Sequence, residues 1–163
     1  MDAYTCIRTK RDSRAYADKP IPEESLQRIL QAGRMAGSSK NTQPWRFVVL
    51  RDAARKSELA ACGQFAQHIP SAPVVIAVVL SPGGGEFDAG RAAQNMMLAA
   101  WAEGITSCPV AMHDQKCAAR VLDLPEGHRV AIVLAFGYPA SEESLHRGVP
   151  RIPLAELVHF ERW

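Results

Sequence analysis

Hydrophobic positions along the chain change their period several times, and each change marks an element. Residues 4–10 suit a short helix, and a polar, basic run follows to Lys19. Lys19-Pro20-Ile21-Pro22 then breaks regular structure, because proline fixes φ and lacks an amide donor. Pro22-Glu23-Glu24 reads as a helix start, with proline in the first turn and carboxylates at the positive end of the dipole. Leu26, Ile29, Leu30 and Gly33 recur at helical spacing and define its inner face. Gly37-Ser38-Ser39-Lys40-Asn41 ends the helix in a polar loop. A short strand from Arg46 to Leu50 and an alanine-rich helix over 52–63 follow. Pro73 to Leu80 is almost wholly apolar and β-branched, which predicts a strand buried on both faces.

Ser81-Pro82-Gly83-Gly84-Gly85 is a loop. Residues 86–103 form a long helix of small and apolar residues, with Asp88, Arg91 and Asn95 as a narrow polar seam. Residues 105–112 are extended, 114–122 helical, and Arg129 to Phe136 a second buried strand. From Pro139 the chain is an irregular tail containing Pro150 and Pro153. Helices and strands mix without strict alternation, which favours one layered α/β or α+β domain spanning 1–163. The length of 163 residues is one domain's worth, since domains run to roughly 100–200 residues. Separate cofactor and substrate domains do not fit, so a large ligand must bind on one small domain or between two copies.

Composition agrees with a globular class: 47% hydrophobic and 22% charged residues exclude wholesale disorder. The net charge of +2 is too balanced for a general nucleic-acid binder. Its distribution is uneven: Arg8, Lys10, Arg11 and Arg14 crowd near the start, opposed by Asp12, and Arg147, Arg151 and Arg162 form a looser group near the end. These are either solvated surface or an anion site built from both chain ends. Cys6, Cys62, Cys108 and Cys117 show no paired spacing, there is no leader-like segment, and no apolar run reaches the ~20 residues that span a bilayer. The expectation is a cytoplasmic protein with reduced thiols, away from membranes.

Several familiar motifs fail on inspection. Gly83-Gly84-Gly85 between a strand and a helix has the layout of a dinucleotide site, but Asp88 stands where the third glycine belongs. A carboxylate in that first turn would repel a pyrophosphate. No P-loop and no nucleophile elbow occurs. Cys108, His113 and Cys117 supply three soft ligands where a structural zinc site needs four, so no metal is expected. Asn41-Thr42-Gln43-Pro44-Trp45 is more informative. Its amides both donate and accept, as a heteroaromatic edge or a ribityl chain would require, although for this segment alone a capped loop over a packed Trp45 is the simpler explanation.

Taken together, the segments resemble the FMN-dependent nitroreductase family. Lys10-Arg11-Asp12-Ser13-Arg14-Ala15-Tyr16 with Lys19-Pro20-Ile21-Pro22 is similar to the family's basic opening and proline stop. Ser38-Ser39-Lys40-Asn41-Thr42-Gln43-Pro44-Trp45-Arg46-Phe47 resembles its S-x-x-N-x-Q-P-W-x-F signature. Asp88 to Asn95 with Leu98-Ala99-Ala100 and Gly104 resembles its central helix. Leu124-Pro125-Glu126-Gly127, Gly137-Tyr138-Pro139 and Arg151-Ile152-Pro153 resemble its last strand, turn and closing basic motif.

The resemblance implies an α+β fold: a mostly antiparallel mixed sheet flanked by helices, in an intertwined homodimer with FMN at the interface. It places the phosphate and pyrimidine edge against Lys10, Arg11 and Arg14, with Arg151 as a further phosphate contact. Ser38, Ser39, Asn41 and Gln43 would come from the partner subunit, and the backbone of Pro109, Val110, Ala111 and Met112 would lie along the ring near N5. NADH or NADPH would deliver a hydride to N5, and a small nitroaromatic, quinone or enone would accept the electrons, with no catalytic side chain required. Two departures stand out. Asp12 occupies a position where many relatives carry serine, which leaves it to orient Arg11 or Arg14 or to bond a ribityl hydroxyl. The excursion that covers the flavin in many relatives is absent between the strand 73–80 and the helix 86–103. Asp12 also keeps open an oxygen-dependent, FMN-fragmenting enzyme of the dimethylbenzimidazole-forming type, and a non-catalytic flavin-binding dimer is the third reading.

Overall fold

Val74–Leu80, here β2, is buried at every position in the computed structural model and forms the spine of the fold. The structure describes residues 1–145 and 148–163; Arg147 of the C-terminal basic group lies outside the described residues. β2 pairs antiparallel with β1 (Trp45–Leu50) on one side and with β4 (Arg129–Gly137) on the other. β3 (Thr106–Val110) pairs antiparallel with β4, giving the order β1-β2-β4-β3. Successive side chains alternate across the sheet and so feed two cores. Val74, Ile76, Val78, Leu80, Leu134 and Phe136 face one; Val75, Ala77, Val79, Val133 and Ala135 face the other.

Two helices, α2 (Glu23–Arg34) and α4 (Glu86–Ala102), cover the first face, and α3 (Ala53–Ala61) and α5 (Gln115–Val121) cover the second. All of these elements stand within a residue or two of where the hydrophobic pattern puts them. At the N-terminus, α1 (Ala3–Thr9) is capped by Asp2, whose carboxylate accepts from the Thr5 amide at 3.0 Å. Arg28 on α2 donates to both carboxylate oxygens of Glu103 beyond α4, at 2.5 and 2.9 Å. That pairing holds the Glu103 carboxyl below its usual range.

Where α2 crosses α4 there is no room for a side chain at Gly33. A Cβ there would stand 2.2 Å from Met96 Cε and 2.9 Å from Met96 Cγ, and Met96 is fully buried. Gly33→Ala is therefore expected to cost about 1–3 kcal/mol through overpacking, despite the higher helix propensity of alanine. Urea unfolding checks this, with a lowered midpoint at an unchanged slope.

The cysteines correct the expectation of four reduced thiols. Cys62, just past α3, and Cys117, on α5, form a disulfide with their Cα atoms 5.5 Å apart. Sequence spacing hides the pair because 55 residues separate the partners, which meet only when α3 and α5 pack on the same sheet face. Cys6 and Cys108 are free and buried. Cys117 is therefore no free metal ligand.

The tail is irregular as expected, apart from one turn of helix, α6 (Leu154–Leu157). Every residue from 148 to 163 is exposed, including Ile152, Leu154, Leu157, Phe160 and Trp163. Among the described residues, no helix is long and apolar enough to cross a membrane.

Candidate functional site

The basic segment after α1 has no apolar period of its own, and the edge of the sheet gives it a shape. Asp12 makes a parallel bridge to Ser107 of β3, and Tyr16 an antiparallel bridge to Pro139. Thr106 Oγ1 donates to the Arg11 carbonyl at 2.9 Å, and the Ala17 amide donates to the Tyr138 carbonyl at 2.9 Å. Lys10, Arg11, Asp12 and Arg14 are thereby fixed along the same strand that leads into Pro109, Val110, Ala111 and Met112. Val110 and Met112 are buried, Pro109 is half-buried and Ala111 is exposed.

A cleft of about 880 Å³ opens beside this segment, where both chain ends meet. Arg8, Lys10, Arg11 and Asp12 line one side, and Arg151 reaches in from the tail. Arg8 was visible in the sequence as part of the cation cluster but carries no role in the family resemblance; its place on the last turn of α1 puts it in the cleft.

The ion pair of Asp12 is with Lys10 rather than with Arg11 or Arg14, although its charge also acts on Arg14. Its carboxylate forms a close ion pair with Lys10 Nζ, whose side chain is only 13% exposed. Arg11 instead donates to the carbonyls of Lys10 and Arg8, at 2.8 and 3.2 Å. The physical reason is reach: Lys10 and Asp12 are two residues apart on an extended segment, so their side chains project from the same side.

Arg14 lies against Cys108, and hydrogen bonding there pushes its pKa further up. Burial pushes the Cys108 thiol up, so the sulfur stays protonated at neutral pH and does not neutralise Arg14. Burial likewise raises the Tyr16 phenol, whose hydroxyl donates to the Ala135 carbonyl at 3.4 Å.

Among the described residues, two buried side-chain polar atoms have no partner: Ser107 Oγ, on the residue that bridges Asp12, and His68 Nε2. Burial pushes the His68 pKa below its usual 6.5, and the Arg14 charge adds to the effect. A depressed native value means the unfolded chain binds the proton more readily. The stability His68 contributes is therefore complete above pH 6.5 and is lost as pH falls through the lower native value. Thermal melts across that range are expected to show the decline, and His68→Gln to flatten it; parallel curves for the two proteins would contradict the assignment.

The loop 38–43 carries a different signal. Lys40, Asn41 and Gln43 have φ of 51°, 53° and 48°, a left-handed conformation that costs a non-glycine residue roughly 1–2 kcal/mol. Three such residues in one loop point to a function, because strain of this kind persists only where the surroundings hold it. Ser38 Oγ accepts from the Gln43 amide at 2.9 Å, and buried Trp45 anchors the exit. The polar seam of α4 supports the entrance. Asp88 accepts from the Ser39 amide at 3.4 Å, Asn95 donates to the Ala32 carbonyl at 3.3 Å, and the Arg91 guanidinium lies where a side chain on Gly37 would be. Ser39, Asn41 and Gln43 are exposed and Ser38 half-buried, and none of them lines the cleft of Lys10 and Arg151. One chain thus brings together the basic segment, Arg151 and β3, but leaves the loop 38–43 apart.

The chain matches a family model described as the nitroreductase family over residues 7–82 and 71–138. The chain belongs to the nitroreductase family. It is 30% identical over 168 residues to an Archaeoglobus fulgidus protein named NADH dehydrogenase/NAD(P)H nitroreductase, covering 96% of each. It is 32% identical over 202 residues to a Thermus thermophilus protein named NADH dehydrogenase, covering 97% of this chain and 95% of that one. A solved structure from Desulfovibrio desulfuricans, described as a nitroreductase in complex with FMN, superposes with a TM-score of 0.84 at 31% identity, over 100% of this chain and 99% of that one. The α+β sheet and its flanking helices are therefore those of a nitroreductase-like fold.

Proposed function

We propose that two copies of this chain bind FMN between them and use it to carry electrons from NADH or NADPH to a small nitroaromatic, quinone or enone. The observation that carries this reading is the cleft in which Lys10, Arg11 and Arg151 converge from opposite ends of the sequence, beside the strand leading to Pro109–Met112. The residues present fit the cofactor. A phosphate needs fixed cations, and the cleft offers them on a pinned backbone. The unpartnered Ser107 Oγ is a spare donor and acceptor on the same edge.

When bound, FMN would supply the redox chemistry, which no side chain of the site provides. The chain does the rest. Lys10, Arg11 and Arg151 hold the phosphate. Asp12 acts on Lys10, fixing its ammonium by the ion pair. Arg14, with its charge unneutralised by Cys108, stabilises negative charge on the pyrimidine. The backbone of Pro109, Val110, Ala111 and Met112 would lie along the ring. Ser38, Ser39, Asn41 and Gln43 of the second copy close the other side. The separation of that loop from the cleft in one chain, and its three left-handed residues, support a site completed from two chains. The exposed apolar tail supports a second copy as well.

A complementation experiment tests the shared site. Arg14→Ala and Asn41→Ala chains each bind FMN poorly alone, but their co-expressed mixture recovers FMN and NAD(P)H-dependent reduction of a nitroaromatic, because one site of each mixed dimer is intact. A mixture no better than its components would overturn the two-chain site.

A further inference from the structure

Residues 62–66 form a wall on which the turn Ala111–Asp114 rests. The Asp114 amide donates to the Cys62 carbonyl at 3.0 Å, and the Gln64 amide donates to His113 Nδ1 at 3.1 Å. The Phe65 and His113 rings meet edge-on with centroids 5.7 Å apart. Gly63 lies so close that a Cβ there would stand 2.9 Å from Met112 Cε and 3.3 Å from the Ala111 carbonyl. The Cys62–Cys117 disulfide pins one end of this seam. Asp114 caps α5 by accepting from the amide of Cys117 itself at 2.8 Å, so the covalent tether and the cap act on the same residue. Farther along, the α3–α5 contact is held by the half-exposed Arg55, which donates to the Val121 carbonyl at 2.7 Å and faces Asp123 at 3.6 Å. Exposed pairs of that kind add little.

We propose that the Cys62–Cys117 disulfide is a reversible modification site for a dithiol, and that opening it loosens the Ala111–Asp114 turn and so weakens the hold on FMN. The second half of this statement rests on the flavin site proposed above. Cys62 is 2% exposed and Cys117 half-buried, so attack falls on Cys117. A thiolate of the dithiol attacks Cys117 Sγ, the S–S bond breaks, and its electron pair leaves on Cys62 Sγ, which takes up a proton. The second thiol of the reductant then displaces the mixed disulfide, releasing Cys117 as a thiol while the reductant departs as its own disulfide. Two electrons and two protons enter the protein, and a small-molecule disulfide reverses the exchange.

The test compares the purified full chain before and after dithiothreitol, alongside a Cys62→Ser/Cys117→Ser variant. Alkylation after denaturation is expected to rise from the two thiols of Cys6 and Cys108 to all four. Amide exchange over residues 109–117 is expected to quicken severalfold while the β2 and β4 amides stay protected. The FMN dissociation constant is expected to rise at least severalfold. The double variant should match the reduced protein and ignore the reductant. Four alkylatable thiols before any reduction would overturn the proposal, as would unchanged exchange over 109–117. FMN binding that is equal in both forms would overturn it while leaving the flavin site standing. Failure to bind FMN in either form would overturn both.

Discussion

Arg14→Met is expected to weaken FMN binding by about 10- to 100-fold, the size of a lost hydrogen bond to a charged group. It should also lower the potential of the bound flavin by about 30–60 mV, on the conversion of 30 mV to 1.4 kcal/mol for a two-electron couple. Cys108 stays a neutral thiol because burial raises its pKa, so it does not neutralise the adjacent guanidinium; the negative charge that does act on Arg14 is the Asp12 carboxylate, which is itself paired with Lys10. His68 also feels the Arg14 charge, which together with its burial disfavours the protonated ring. Asp12 keeps its ion pair with Lys10 when Arg14 is removed, so no charge is left unpaired and the fold should survive. Arg14→Lys should recover the potential more fully than the affinity, since it keeps the charge and loses the planar fork. FMN titration followed by fluorescence, and a redox titration of the bound flavin, give the two numbers. A variant with wild-type potential would show that Arg14 does not face the ring.

Removing residues 152–163 is expected to leave the chain folded but to dissociate the dimer and release FMN. The truncation keeps Arg151, so the phosphate cations stay in place. No residue of that segment is buried in the single chain, and its loss should barely change the stability of the two cores on the sheet. In a dimer the same residues have something to cover. Burial of three among Ile152, Leu154, Leu157, Phe160 and Trp163 is worth roughly 5–9 kcal/mol. Their removal should raise the dimer dissociation constant by at least about a thousandfold. Sedimentation at several protein concentrations, with absorbance of bound FMN read in the same cell, tests both consequences. A truncated chain that remains a dimer with full FMN would place the interface elsewhere.

The sequence made the elements readable because each had a local cause. β2 announced itself by an unbroken apolar run, α2 by Pro22, Glu23 and Glu24 ahead of Leu26 and Ile29, and Trp45 by its place after a polar loop. The cation cluster was equally plain, because charge can be counted. What stayed hidden was whatever needs two distant segments to meet. The Cys62–Cys117 bond depends on α3 and α5 sharing a sheet face. The partner of Asp12 depends on the segment running extended along β3, which turns its carboxylate toward Lys10 rather than toward the arginines. The seam of Asp88, Arg91 and Asn95 was legible as a pattern, yet its work in holding the loop of Ser38 and Ser39 appears only once α4 lies beside that loop. His68 had no signal at all: a histidine in a loop looks like surface until the fold buries it.

The central claim is that this chain holds a flavin that a pyridine nucleotide can reduce. An anaerobic absorption spectrum of the purified protein with FMN, recorded before and after NADH and then NADPH, tests it most directly. The protein is expected to be yellow, with flavin bands that are bleached by at least one donor and return when a nitroaromatic or quinone is added. A colourless protein that takes up no FMN, or bound FMN that neither donor bleaches, would contradict it.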